Sequence, residues 1–227
     1  GGWLGTFELL GGLVGWAIVA VLTCYRYRHA TRAYHSGDAD EIDWIMRRLR
    51  AQSDHVALFA VGVSLGGNAL LKWLGRERAK AAAIVNAAAA VSAPMDLMTA
   101  GDRLGSGLSR AYGSHFLVRL KKKSLGKLTR HPGLYDRDSV RRTRTLRDFD
   151  NLVTAPLHGF RDTDDYWTRA SSKPELAHVS LPTLIIHARN DPFLPGRFLP
   201  APRQVSASVH LEFPDGGGHV GFTTGPF

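Results

Sequence analysis

The sequence has very little cysteine, with Cys24 as the single example among 227 residues. One thiol can form neither an internal disulfide nor a zinc site of paired cysteines, so the sequence excludes both. A shortage of cysteine is typical of proteins from reducing compartments, and we expect a cytoplasmic location. Cys24 lies in an apolar run, which predicts a buried and unreactive thiol.

Motifs for metals, nucleotides and nucleic acids are also missing. The ten histidines include no H-E-x-x-H pair, and the glycines at 216–218 lack the Lys-Ser/Thr that completes a phosphate-binding loop. Aromatic residues make up 9% of the chain and are too sparse in its most basic segment to form a platform for stacked bases. We therefore expect no metal, no cofactor and no nucleic-acid partner.

The composition predicts one folded domain over residues 1–227. Hydrophobic residues make up 44% of the chain and charged residues 22%, which is the usual balance of a soluble globular protein. No internal repeat or low-complexity linker divides the chain. An uncharged run at residues 9–25 is close to the lower length limit of a membrane-spanning helix. Its glycines favour a buried strand at residues 16–23, with a membrane anchor as the alternative.

Positive charge is concentrated in one segment. The formal net charge is +9, and residues 101–150 contain 13 Lys or Arg against five Asp. A block of like charge commonly forms a solvated helical face, and this is the interpretation that we favour. The alternative is weak peripheral contact with an anionic membrane surface.

Short apolar runs alternate with amphipathic stretches along the chain. Strands are predicted at residues 56–61, 183–187 and 209–213, with further candidates at 16–22 and at 82–91, the last of which could begin as a helix. Helices are predicted at residues 40–50 and 65–74, the second ending at Gly75. This alternation predicts an α/β fold, with a mostly parallel sheet flanked by helices. Residues 96–175 interrupt the pattern and predict a helical cap or lid within the domain.

A G-x-S-x-G motif is present at residues 62–66, between a predicted strand and a predicted helix. The turn that joins them strains the backbone of Ser64, and we expect the turn to close only if Gly62 and Gly66 lack side chains. Such a turn exposes the Ser64 hydroxyl as a nucleophile. It also directs the N–H of Leu65, at the start of the helix, toward an oxyanion that develops during catalysis.

A serine hydroxyl becomes a useful nucleophile only when a base removes its proton. His219 is the candidate base, because it lies in a glycine-rich loop that follows the third predicted strand. Asp191 directly follows the strand at 183–187 and is the candidate carboxylate that orients the imidazole. Asp96 also follows a predicted strand and is the reserve acid. Asp215 is expected only to turn the chain.

Several blocks of the sequence together resemble one protein family. AVGVSLGGNALLKWLG (60–75) is similar to the nucleophile region of the YheT-like α/β-hydrolases, which are bacterial proteins related to eukaryotic ABHD-type lipid esterases. AYHSGDADEIDWIMRRL precedes that region, SAPMDL and LTRHPGLYD resemble the family's cap, and LPTLIIHARNDPFLP and EFPDGGGHVGF resemble its acid and histidine loops. The resemblance runs from about residue 33 to the end.

The resemblance implies an α/β-hydrolase fold with Ser64 as nucleophile, Asp191 as acid and His219 as base. This chain order of nucleophile, acid and base is the order of α/β-hydrolases. The implied reaction is the hydrolysis of carboxylic esters with acyl or lipid-like groups, through an acyl-enzyme on Ser64. The implied partner is a small-molecule or lipid-like ester.

The sequence departs from the family at both ends. The family's oxyanion hole includes a His-Gly loop, but no His-Gly pair occurs in the 63 residues before Ser64. The chain also ends eight residues after His219, where the family continues into a helix. We therefore expect an incomplete copy of the family fold. A catalytically impaired α/β-hydrolase, acting as a pseudoenzyme or binding module without a complete oxyanion hole, is the alternative to an active esterase.

Overall fold

A computed structural model describes residues 31–52 and 56–222. The interpretations of Cys24, of the run at 9–25 and of the candidate strand at 16–22 fall outside these residues. Within the described ranges, no helix is both long enough and apolar enough to cross a membrane.

Four parallel strands form the sheet, and they are adjacent in chain order. They are β1 (Phe59–Val63), β2 (Ala87–Val91), β3 (Thr183–Ile186) and β4 (Val209–Glu212). Phe59 pairs with Ala87, while Thr183 pairs with both Ala88 and Val209. Because neighbouring parallel strands need crossover connections, the helical segments between them are a consequence of this pairing. The predicted parallel sheet of an α/β fold is confirmed.

Two of the predicted strands differ from the structure at their starts. The strand predicted at 56–61 begins at Phe59 and continues to Val63, which pairs with Val91. The candidate strand at 82–91 begins at Ala87, because the preceding residues are helical. The N–H groups of Ile84 and Val85 both donate to the carbonyl of Ala81. The backbone therefore forms a helical turn before the strand starts.

Helices α1 (Ala39–Gln52), α2 (Leu65–Glu77) and α3 (Ala79–Ala82) flank the first two strands. The prediction that Gly75 ends the second helix is wrong, since α2 continues to Glu77. A Cβ atom at Gly75 would lie 2.4 Å from the carbonyl oxygen of Glu175. The glycine therefore allows close helix packing instead of ending the helix. The main core lies between the helices and the sheet and includes the fully buried side chains of Leu71, Trp73, Leu74, Met95 and Ile185.

The chain between β2 and β3 is largely helical. It contains α4 (Leu97–Leu104), α5 (Arg110–Leu128), α6 (Arg137–Arg142), α7 (Leu146–Phe149), α8 (Ala155–Leu157) and α9 (Thr163–Ala170), with a π-helical turn at Asp150–Thr154. A 3₁₀ turn at Lys173–His178 leads back to β3. These helices bury two small apolar clusters of their own, one around Trp167 and the other around Phe149. The cap role of residues 96–175 stays a prediction and is considered below.

Two histidines pack against each other where residue 35 meets the helical segment. The ring centroids of His35 and His158 are 4.3 Å apart. Burial is the main cause that lowers the pKa of each ring from 6.5 to about 4. Both nitrogens of His158 lack a hydrogen-bond partner among the described residues. The folded protein therefore keeps both rings neutral at pH values where the unfolded chain protonates them.

This burial predicts a loss of stability in acid. Histidines of the unfolded chain bind protons below about pH 6.5, whereas the folded rings stay neutral until about pH 4. The free energy of unfolding should therefore fall as the pH decreases through that window. His158→Phe should make the fall smaller, as measured by urea unfolding at several pH values. His178→Phe, which replaces an exposed histidine, is the control and should leave the acid-induced fall in the free energy of unfolding as large as in the wild type. An equal change in both variants would contradict the account.

Candidate active site

Ser64 occupies the turn between β1 and α2 with an unusual backbone conformation. Its φ is 50° and its ψ is −122°, a region that residues other than glycine rarely adopt. The Ser64 N–H donates to the carbonyl of Val91 at 2.8 Å, so the end of β2 holds the turn in place. The predicted strained turn at the G-x-S-x-G motif is thus present in the structure.

The glycines around Ser64 have different roles. A Cβ atom at Gly62 would lie 2.6 Å from the carbonyl oxygen of Gly66, and one at Gly67 would lie 2.9 Å from the Cβ of Ala93. Apart from its chain neighbours and the adjacent backbone of its own helix, a Cβ atom at Gly66 would meet no described atom within 4 Å. The expectation that both flanking glycines are needed is therefore wrong for Gly66. The turn closes because the backbone of Gly62 approaches the backbone at the start of α2.

The structure brings together Ser64, His219 and Asp191, which lie far apart in the sequence. The Nε2 atom of His219 is 2.9 Å from the Ser64 Oγ, and its Nδ1 atom is 2.8 Å from Oδ2 of Asp191. These partners favour the tautomer in which Nδ1–H donates to the carboxylate and Nε2 accepts the serine hydroxyl proton. The arrangement can therefore move a proton from the hydroxyl to the imidazole.

The carboxylate of Asp191 is completely buried and receives hydrogen bonds on both oxygens. The Phe193 N–H donates to Oδ1 at 2.8 Å. The Nε2 atom of buried His187 lies 3.1 Å from the carbonyl oxygen of Leu194 and 3.3 Å from Oδ2 of Asp191. Burial is the largest influence on His187 and lowers its pKa, so a neutral ring can share its N–H between both acceptors. Sequence reasoning assigned no role to His187, although it lies in the block that resembles the family's acid loop.

Two side chains hold the loop that carries His219. The Oδ1 atom of Asn190 accepts the Gly218 N–H at 2.8 Å, and the Oγ atom of Ser92 accepts the Val220 N–H at 3.1 Å. These contacts are on both sides of His219 and therefore restrict its position. Sequence reasoning missed Ser92 as well, because its partner is 128 residues away.

The other predicted site residues occupy distinct places. Leu65 is the first residue of α2, where a backbone N–H has no acceptor within its own helix. The reserve acid Asp96 caps α4 by accepting the Thr99 N–H at 3.1 Å, so it does not act as the acid of His219. Asp215 has a fully solvent-exposed side chain 3.5 Å from Arg189. The carboxylate at His219 is therefore that of Asp191.

A cavity of about 350 Å³ opens beside the Ser64 hydroxyl. Its lining is mainly apolar, and the helical segment between β2 and β3 supplies much of it. The lining includes Pro94, Leu97, Phe116, Trp167 and Phe193. Such a lining suits an apolar group of a small molecule. In the part of the chain that the structure describes, no group of three or more His, Cys, Asp or Glu side chains could hold a metal ion.

A serine at a strand-to-helix turn, hydrogen-bonded through histidine to an aspartate on a parallel sheet, is the arrangement of an α/β-hydrolase. The family described as "alpha/beta hydrolase fold" matches residues 23–226. The chain therefore belongs to the α/β-hydrolase fold family, as the sequence resemblance implies.

The more particular resemblance to the YheT-like proteins is also confirmed. The chain is 38% identical over 196 residues to "Putative esterase YheT" of Escherichia coli, covering 86% of this chain and 57% of that protein. It is 29% identical over 207 residues to a monoacylglycerol lipase of Saccharomyces cerevisiae, covering 88% and 45% of the two chains. It is 28% identical over 199 residues to human phospholipase ABHD3, covering 86% and 47%. The chain thus spans about half the length of these relatives.

A solved structure is similar at a lower level. An α/β fold family hydrolase from Bacillus anthracis aligns with a TM-score of 0.48 and 12% identity, over 80% of this chain and 67% of that one.

The glycine contacts predict effects of different size for two alanine substitutions. Gly62→Ala forces a Cβ atom against the Gly66 backbone and should destabilise the protein by more than about 2 kcal/mol, since backbone atoms relax little. Gly66→Ala enters open space within a helix and should change stability by no more than about 1 kcal/mol. Urea unfolding of both variants measures the difference. Equal destabilisation would contradict this account of the turn.

Proposed function

We propose that this chain is a serine hydrolase that cleaves carboxylic esters through an acyl-enzyme on Ser64. The observation that carries the proposal is the unbroken hydrogen-bonded series from Asp191 through His219 to the Ser64 hydroxyl. The relatives named as an esterase, a monoacylglycerol lipase and a phospholipase support an ester as the substrate.

In the proposed reaction, the Ser64 Oγ attacks the ester carbonyl while Nε2 of His219 accepts the hydroxyl proton. The Leu65 N–H donates to the oxygen that becomes negatively charged. Asp191 stabilises the imidazolium through Nδ1. The imidazolium then gives its proton to the departing alkoxide, which leaves as an alcohol, and the acyl group stays on Ser64.

Water completes the cycle. His219 removes a proton from a water molecule, whose oxygen attacks the acyl carbonyl. The bond between the acyl group and Oγ breaks, and the proton held by His219 returns to Ser64. The products are a carboxylic acid and the free enzyme.

The helical segment at 96–175 acts as a cap in this proposal. Leu97, Phe116 and Trp167 from this segment line the same cavity as Ser64 and His219. A mainly apolar wall beside the nucleophile favours an acyl or lipid-like group over a strongly polar one. The cap therefore selects the substrate by the shape and polarity of its lining.

A fluorophosphonate probe tests the nucleophile directly, because it reacts covalently with an activated serine hydroxyl. The folded wild-type protein should be labelled, and Ser64→Ala should abolish labelling as measured by intact mass. Ser114→Ala removes an exposed serine on α5 and should leave labelling intact. A folded wild-type chain that stays unlabelled would overturn the proposal and favour the binding-module alternative.

The loop contact at Asn190 predicts a positioning effect on turnover. Asn190→Ala removes the acceptor of the Gly218 N–H, so His219 should be less well positioned. We expect kcat for a nitrophenyl ester to fall by about fivefold, the equivalent of one ordinary hydrogen bond of about 1 kcal/mol. Asn190→Asp keeps an acceptor oxygen and should restore most of the loss. Unchanged kcat in Asn190→Ala would contradict the role of this contact.

A further inference from the structure

Two cations of α5 line the cavity that contains Ser64. Arg119 and Lys123 are one helical turn apart, and both belong to the cavity wall together with Phe116. Residues separated by three, four and seven positions share one face of a helix. The same face of α5 therefore presents an aromatic ring and two positive charges to the cavity.

Neither cation has a polar partner within residues 31–52 and 56–222. Other cations nearby do have partners. Lys121 donates to the carbonyl oxygens of Arg141 and Thr143, and Arg147 pairs with Asp102 and Asp164. Unlike these two groups, the side chains of Arg119 and Lys123 line the cavity without an ion-pair partner among the described residues, and they are available to a ligand.

The acidic group on the cavity wall is already hydrogen-bonded within the protein. Asp150 accepts hydrogen bonds from the Thr154 hydroxyl at 2.6 Å and the Trp167 indole N–H at 2.9 Å. Burial is the main cause that raises its pKa to about 6. No ion pair joins Asp150 to Arg119 or Lys123 among the described residues. Two like charges one turn apart repel each other, and an anion between them would relieve that repulsion.

We propose that Arg119 and Lys123 form an anion subsite of the active-site cavity, which binds a phosphate or carboxylate carried by the ester substrate. The inference deepens the proposed function and rests on it, because the subsite selects esters that Ser64 then cleaves. The planar guanidinium of Arg119 can bind two oxygens of such a group, while Lys123 supplies a point charge. The preferred substrates are acyl esters that carry one anionic group, on the acyl part or on the alcohol part.

Two pairs of soluble substrates, used below the concentrations at which they form micelles, test the subsite. The first pair is 4-nitrophenyl hexanoate and mono-4-nitrophenyl adipate, which differ by a carboxylate on the acyl part. The second pair is monodecanoylglycerol and its 3-phosphate, which differ by a phosphate on the alcohol part. The ratio of kcat/KM for the anionic and neutral members measures the preference, and the two pairs distinguish the sources of the anion.

The double variant Arg119→Gln/Lys123→Gln removes both charges with little change in volume. We expect the wild type to prefer the anionic member of at least one pair, and the double variant to lower that ratio by about tenfold, since each exposed contact contributes a few-fold. Turnover of the neutral member is the reference in this ratio, so a general loss of activity would lower both members and leave the ratio as it is. The matched control Lys122→Gln/Arg130→Gln removes two exposed charges that do not line the cavity and should keep the wild-type ratio.

Three outcomes overturn the subsite while leaving the ester hydrolase intact. They are equal turnover of both members of each pair by the wild type, an unchanged ratio in the double variant, and an anionic preference that appears only with substrate in vesicles. The last result would point to contact with a membrane surface instead. Failure of the wild type to cleave any of the four esters would instead overturn the proposed function itself.

Discussion

The backbone of Ser64 has a φ of 50°, a conformation that costs a non-glycine residue about 1–3 kcal/mol. The conformation persists because the Ser64 N–H is bonded to the carbonyl of Val91 and because Gly62 allows the start of α2 to approach β1. Helix α2 is in turn anchored by the fully buried side chain of Trp73. The strain is thus maintained by the core, and it places the hydroxyl 2.9 Å from the imidazole of His219.

The topology of the sheet assembles the rest of the site. Ser64 follows β1, Ser92 follows β2, Asp191 comes after β3 and His219 after β4. Since the carboxyl ends of parallel strands meet at one edge of a sheet, residues from four separate loops converge there. Buried Asn68 on α2 joins this edge to the helical segment, because its side-chain amide donates to the carbonyl of Ala170 and its oxygen accepts the Ser172 N–H.

The sequence predicts the features that depend on local pattern. The strands that precede Asp191 and His219 begin at the predicted residues and end one residue earlier than predicted. Apolar runs bounded by Pro and Gly leave little ambiguity about where such strands begin and end. The alanine-rich approach to β2 is less certain, since alanine suits a helix as well as a buried strand. Ser64, His219 and Asp191 are recognisable because their motif and order are distinctive.

The features that sequence reasoning missed depend on contacts between distant residues. His187 and Ser92 lie in blocks that resemble the family, but their roles come from partners that the fold brings near. The different roles of Gly62 and Gly66 depend on which backbone atoms approach them in three dimensions. Sequence motifs therefore predict which residues form the site. The contacts that support those residues can be identified only in the folded chain.

The central claim is that Ser64 carries the acyl group during turnover. The most direct measurement is to mix the protein with a 4-nitrophenyl ester, quench with acid during turnover, and map any acylated peptide by mass spectrometry. The account predicts one acyl group per chain, located on Ser64 and absent from Ser64→Ala. An acyl group on a different residue, or the same adduct in Ser64→Ala, would contradict it.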